Sequence, residues 1–354
     1  MAPIVVESAK SATLPQLMRK LAAERLIYVG ETHTALADHQ LQLEVLRGMA
    51  ERPAGLALGV EWFQKRFQPV LDDYLAGRID EAEMLRRTEY YERWRFDYRL
   101  YRPIVRFAKE HAIPIVALNA SRELTSEIRR VGINDLPAEL REELPDSYDL
   151  GDKDYEELLR EMFDLHPSGD GQFQRFHEVQ LTWDESMAQA VSEYLNSDPQ
   201  HRMLVLAGRG HIAGRYGIPN RVARRTGVPG KTIASFNPSG GKFNTAEYLV
   251  LANEQSLPSA GLMQVMLDER DAGVFISGFS NGSPAEAAGA KKGDLIRSIN
   301  GTAVEHFADV KIALIDQPPG AEIELDLQRS GLFGRERAIT LKFKLSGEHV
   351  SPHP

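Results

Sequence analysis

The 354-residue chain contains no cysteine. That excludes disulfides, zinc–thiolate centres and a thiol nucleophile. It fits a cytosolic protein, and equally an exported one that relies on its core. No apolar run reaches the ~18 residues of a membrane-spanning helix. Positive charge is also scarce. Lys and Arg number 42 against 51 Asp and Glu, a net charge of −9, which argues against a general nucleic-acid binder. The segment RRTEYYERWRFDYRLYRPIVR mixes arginine with aromatics. Glu and Asp interrupt it, as on a solvated helix face with an aromatic inner side. The opening MAPIVVESAK has no basic stretch followed by an apolar core, so the chain as written reads as soluble.

What is present is an alternation. Short apolar, β-branched runs occur at RLIYVG, GLALGVEWF, IPIVALN, RMLVLAG, KTIASF and YLVLAN. Helical patterns such as ALADHQLQLEVLRGMAE and FHEVQLTWDESMAQAVSEYL lie between them. The fold class expected is α/β: a mostly parallel sheet with helices on both faces, over residues 1–255. Residues 64–105 are helical and rich in Tyr, Trp and Arg, and read as an insertion or lid. LPAELREELPDSYDLGDKDYEELLREMF reads as a second helical excursion.

Composition shifts near ANEQSLPSAG. Beyond it, GSPAEAAGAKKGDLIRSINGTAV resembles a bacterial PDZ domain, covering residues 260–347 as a small β-rich unit. PDZ domains add an extended peptide to a sheet edge and hold its terminal carboxylate in a backbone nest. The corresponding loop here is Ser259 to Val265, which departs from the common Gly-Leu-Gly-Phe form. A module used only for packing or dimer contacts is the alternative.

Ligands of an open parallel sheet bind beyond the carboxyl ends of its strands. Four such ends carry unusual residues. The first ends in Gly30, Glu31, Thr32 and His33. The second carries Glu61, the third ends in Asn119, and a later one ends in Gly208, Arg209, Gly210 and His211. Each has a plainer role open to it, as a turn residue or a paired buried charge. Four coincidences on one edge point to a site. Gly30 and Gly208 would allow close approach, and Thr32 or Thr34 is expected to cap the following helix. His33, Glu61 and His211 make a plausible divalent-metal set, with Mn, Co or Zn as candidates. Equally, one histidine could act as general base with a glutamate orienting it. His177 and Asp184, seven apart, share a helix face next to Trp183. His39 and His177 are expected in surface or capping roles.

The stretches VGETHTALADHQLQLEVL, LGVEWF, IPIVALNA, QLTWDESMA and AGRGHIAGRYGIP together resemble the Tiki/TraB/erythromycin-esterase superfamily. Within it the chain is most similar to the ChaN family of haem-binding, iron-regulated bacterial lipoproteins, over roughly residues 15–250. The resemblance implies a haem-binding component of iron or haem acquisition, periplasmic or outer-membrane associated, with haem held between protomers of a homodimer. A cytoplasmic location is the alternative. The wider superfamily implies another activity: hydrolysis of esters or peptides by His33, Glu61 and His211, with Glu31 beside them. Haem iron accepts Tyr or His. Tyr216 is the preferred ligand, with Tyr90, Tyr91 and Tyr98 as alternatives. Arg209, Asn119, Asp184 and Trp94 are grouped with Tyr216 as candidate cofactor contacts.

Overall fold

The structure, a computed structural model, describes residues 11–165, 173–236, 245–252, 255–331 and 336–347. The MAPIVVESAK opening lies outside the described residues. The chain divides into two compact units. One comprises the residues up to Ile79 and Phe96–Ser256. The other comprises Asp80–Arg95 and the residues from Leu257 onward.

The first unit opens with α1 (Leu14–Lys20), β1 (Leu26–Glu31), α2 (Leu36–Ala50), β2 (Leu56–Gln64) and α3 (Gln68–Leu75). The next two helices, α4 (Glu81–Arg87) and α5 (Tyr90–Arg93), belong to the second unit. The first unit continues with α6 (Tyr98–Glu110), β3 (Ile115–Asn119), α7 (Arg122–Val131), α8 (Ala138–Arg141), α9 (Lys153–Leu165) and α10 (Phe173–Ser197). It ends with β4 (Arg202–Gly208), α11 (Ile218–Thr226), β5 (Lys231–Phe236) and β6 (Tyr248–Leu251). Local chemistry sets several boundaries. Thr13 forms a capping box with Gln16 at α1, and Ser121 caps α7 through the Leu124 N–H.

The six strands pair in parallel in the order β3-β2-β4-β1-β5-β6. Every residue of β1 is buried, and all but the last of β2. That is why these strands read as continuous apolar runs rather than alternating ones. Leu26, Tyr28, Met203, Val205 and Ala207 pack with Met187, Val191 and Leu195 of α10 and Val222 of α11. Helices α2 and α6 pack together, and α2 also lies on β1, β2 and β4.

A buried charge cluster pins α11 to α10. The Glu185 carboxylate accepts hydrogen bonds from Arg224 and Arg225, each at 2.9 Å, and stands 3.3 Å from Arg221 Nε. Arg221 and Glu185 are both buried.

The second unit contains β7 (Val265–Arg270), β8 (Gly273–Phe279), α12 (Pro284–Ala287), β9 (Leu295–Ile299), β10 (Thr302–Ala303), α13 (Phe307–Leu314), β11 (Glu322–Ser330) and β12 (Glu336–Lys344). Its strands form an antiparallel sheet, β12-β11-β9-β8-β7, with β10 on β9. Val274, Ile276, Ile296, Ile299, Leu325 and Phe343 contribute to its core. Helices α4 and α5 pack on α13, and Arg86 Nε lies 2.5 Å from Asp309 Oδ1. The helical stretch 64–105 is therefore not one lid. Its ends, α3 and α6, belong to the α/β unit, while residues 80–95 join the PDZ-like unit.

Replacing Glu185 by Ala would leave the buried Arg221 without its carboxylate, while Arg224 and Arg225 keep Asp149 and Asp146. Removing one partner of a buried pair commonly costs about 3 kcal/mol or more. Urea unfolding of Glu185→Ala is expected to show that loss. A change within 0.5 kcal/mol, the ordinary range for exposed sites, would mean that the cluster carries no net stability.

Candidate functional site

The strand order explains how distant residues meet. Strands β2, β4 and β1 are neighbours, so their carboxyl ends share one edge. Glu31 of β1 pairs with Gly208 of β4, and Val60 of β2 with Leu206. His33, Glu61 and His211 therefore emerge side by side. Gly208 leaves the space for them. A Cβ there would stand 2.9 Å from His33 Cε1 and 3.4 Å from Glu61 Oε2. At Gly30 a Cβ would stand 3.3 Å from Arg209 Cα, so the ends of β1 and β4 also need glycine's small size.

The polar groups form a continuous chain. Glu61 Oε2 accepts the Gly208 N–H at 2.6 Å, and Glu61 Oε1 lies 3.3 Å from His211 Nε2. His211 Nδ1 donates to Asp184 Oδ1 at 2.7 Å. The other Asp184 oxygen accepts the Tyr155 hydroxyl. His33 Nδ1 donates to Glu31 Oε1 at 2.6 Å, with 31% of the His33 side chain exposed. Two rings flank the histidines: Phe96 4.5 Å from His33, and Trp183 edge-on to His211 at 6.3 Å. Gly217 fits where a Cβ would meet the His211 carbonyl and stand 3.0 Å from Asp184 Oδ2.

The charges settle each other. Burial opposes the imidazolium of His211, yet the Asp184 and Glu61 carboxylates outweigh it and hold the pKa well above the ordinary value. Burial likewise opposes ionisation of Glu61. The charge and hydrogen bond of His211, the charge of His33 and the Gly208 N–H together pull Glu61 below the usual range. For His33, burial acts downward, and Glu31 with Glu61 raises the net value.

A second network escaped sequence reasoning. The Asp38 carboxylate, in the first turn of α2, accepts the Thr32 N–H at 2.7 Å and the Ser235 hydroxyl. Arg209 Nη2 donates to Ser235 at 2.8 Å and lies 3.4 Å from Asp38. The expected threonine cap is absent: Ala35 is the N-cap of α2 and makes no side-chain cap bond. The one available signal was an acidic residue in a first helical turn, which ordinarily reads as complementing the helix dipole. Tyr155 also went unnoticed, since nothing in a lone tyrosine on α9 reveals its aspartate partner.

The other candidates fall as follows. Asn119 is buried at the end of β3, and its Oδ1 has no hydrogen-bond partner. Trp94 belongs to the second unit. Tyr90, Tyr91 and Tyr98 are buried side chains. Tyr216 is half-buried, beside an apolar cluster that includes Tyr155, Leu159, Leu181, Met162 and Phe176. His39 is not at the surface. It is buried, hydrogen-bonds Gln42 at 3.2 Å and the His33 carbonyl at 3.2 Å, and meets the Tyr101 ring edge-on. His177 is half-buried and stacks on Phe173, and burial holds its pKa down.

Both ring nitrogens of His211 face carboxylates, Asp184 at Nδ1 and Glu61 at Nε2. Among the described residues, no group of three or more His, Asp or Glu side chains stands at metal-holding geometry.

Residues 17–222 match a family model described as "Haem-binding uptake, Tiki superfamily, ChaN". The chain belongs to this family. A PDZ domain model matches residues 275–329. The fold of the Campylobacter jejuni ChaN, in a structure described as "Cofacial heme binding to ChaN", superposes with a TM-score of 0.57 at 15% identity, covering 69% of this chain and 93% of that one. Two curated relatives are the periplasmic serine endoprotease DegP of Salmonella typhimurium and the periplasmic pH-dependent serine endoprotease DegQ of Escherichia coli. The first is 29% identical over 136 residues, 38% of this chain. The second is 27% identical over 128 residues, 36% of this chain. The chain spans about a quarter of the length of each, 26%. Among the described residues, no helix is long and apolar enough to cross a membrane.

The network in this ChaN-family chain makes stability depend on pH from both sides. The folded pKa of His211 is raised, so its contribution is fully present below 6.5 and is lost as pH rises through the folded value. Glu61 is depressed, so its contribution is present above 4.5 and is lost as pH falls through the folded value. Urea midpoints of the wild type are expected to fall on the alkaline side. His211→Gln, which carries no titrating ring, should flatten that limb. An unchanged alkaline limb in the variant would assign it to other groups.

Proposed function

We propose that this protein binds haem as the cargo of bacterial iron or haem acquisition, with Tyr216 as the iron ligand. The observation that carries the assignment is the position of Tyr216: half-buried, five residues beyond His211, against an apolar and aromatic cluster of α9 and α10. A porphyrin needs apolar walls, a ligand for the iron and cations for its propionates. Tyr is an accepted haem ligand. Met162, Phe173 and Phe176 offer apolar surface beside it. Arg160, 3.9 Å above the Phe173 ring and paired with Glu156, is the candidate partner for a propionate beside this cluster. The residues present therefore suit the group.

Membership of a haem-binding family supports this reading. Cofacial haem in the Campylobacter jejuni relative supports a homodimer here, because a stacked pair presents two outer faces to protein. The periplasmic relatives support a periplasmic location. The hydrolytic alternative is weaker on chemical grounds. A general base must be deprotonated at its working pH, whereas the carboxylates around His211 and His33 hold both imidazoles toward the charged form.

Haemin added to the full chain should give a saturable, red-shifted Soret band. Tyr216→Phe is expected to change that band. It should also weaken binding by more than the roughly 10–100-fold that loss of an outer-shell partner costs a metal site. Tyr98→Phe should leave the band unchanged. A wild-type spectrum from Tyr216→Phe would remove Tyr216 as ligand, and turnover of an ester panel lost in His33→Ala would favour the hydrolase.

A further inference from the structure

Four strands stand at sheet edges: β3 and β6 in the α/β unit, β7 and β12 in the second. An open edge invites unplanned pairing, and three of these are accounted for. The Gln68 side chain lies along β3, donating to the Ile115 carbonyl and accepting the Ala117 N–H, each at 2.8 Å. Strand β6 is only four residues long. Strand β7 is the edge at which PDZ domains take a peptide. The remaining edge, β12, runs nine residues and pairs on one side only, with β11.

Hydrogen bonds just past β12 fix which of its groups face outward. The Leu345 N–H donates to the Ala321 carbonyl, on the β11 side, and the Ser346 N–H donates to Leu262, on the other. Facing alternates along an antiparallel strand. The N–H and C=O groups of Glu336, Ala338, Thr340, Lys342 and Lys344 therefore point away from β11. All five residues are exposed. Among the described residues, no backbone group bonds them from that side. Their charges are of opposite sign at opposite ends. Glu336 opens the strand and Lys344 closes it, and among the described residues neither has an ion-pair partner. Lys342 does have one, Glu324 at 2.9 Å.

We propose that β12 is an interface between two copies of this chain, paired antiparallel about a two-fold axis at Thr340. Glu336 of each copy then faces Lys344 of the other, and every outward N–H and C=O from 336 to 344 is paired. That makes about ten bonds, the number of a typical interface. Charge selects this register. A two-fold at Lys342 would oppose two lysines, and one at Ile339 would set Glu336 against the Lys342 that Glu324 already holds. The other face of the strand agrees. Ile339 and Leu341 are half-buried at the rim of the unit's core. About this axis each meets the other across the interface, which takes more apolar surface out of water. The contact needs no haem and does not depend on the haem-binding reading.

Sedimentation of the full chain without haemin, from about 1 μM to about 1 mM, covers the affinities at issue. A monomer–dimer equilibrium is expected. Glu336→Lys should weaken it by about fivefold or more, because two cross-strand attractions become repulsions. Lys344→Glu should do the same. The double variant should regain the wild-type affinity, and the two single variants mixed should form a heterodimer tighter than either homodimer. Both sites are exposed, so these chains keep their fold. Thr340→Pro removes the outward N–H at the axis, a change an edge strand tolerates, and should leave monomer. A wild-type chain that stays monomeric throughout overturns the proposal. A dimer indifferent to the charge reversals and to Thr340→Pro overturns it equally. A dimer formed only when haemin is added also overturns it, and leaves the haem-held pair standing.

Discussion

The site depends on one histidine held between two carboxylates. Asp184 comes from α10, His211 from the turn after β4, and Glu61 from β2. Taking such charges out of water costs several kcal/mol per ion. The opposite directions of the His211 and Glu61 shifts show that attraction wins over desolvation here. Remaining lone pairs are satisfied by the Gly208 N–H and the Tyr155 hydroxyl. A helix, a turn and two strands are therefore locked by a group whose partners cannot be removed singly without leaving a bare charge.

A second buried cation sets the position of the proposed ligand. Arg221 donates to the backbone carbonyls of Tyr216 and Gly217 and lies 4.2 Å above the Tyr155 ring. Its charge is balanced by Glu185. The same arginine thus holds the backbone of Tyr216 and packs on the tyrosine that bonds Asp184. The iron-ligand candidate and the histidine network share a support, although they do different chemistry.

Much of this was legible because parallel strands advertise themselves. Buried on both faces, they appear as unbroken apolar runs, and their carboxyl ends must share an edge. From that rule alone Glu61 and His211 could be placed together without any contact being visible. Side-chain partners were less legible. Asp184 could be assigned to a helix face, but its bond to His211 depends on how α10 sits against β4. His39 was misread because a polar residue on an amphipathic helix gives no sign that Gln42 and a backbone carbonyl await it. The membership of residues 80–95 was hidden for a related reason. Periodicity shows that a segment is helical and which face is apolar, not which core that face will join.

The order of strands in the sheet has a bearing on biosynthesis. Strands β1 and β2 leave the ribosome early, yet they are not neighbours in the finished sheet, because β4 lies between them. His33 and Glu61 have no fixed relation until residues 202–208 have been made and inserted. A nascent chain arrested before β4 would hold the Glu61 carboxylate of β2 without the Gly208 amide and His211 imidazole that pair with it. Such late, long-range pairing is slow and leaves apolar strand edges uncovered in the meantime.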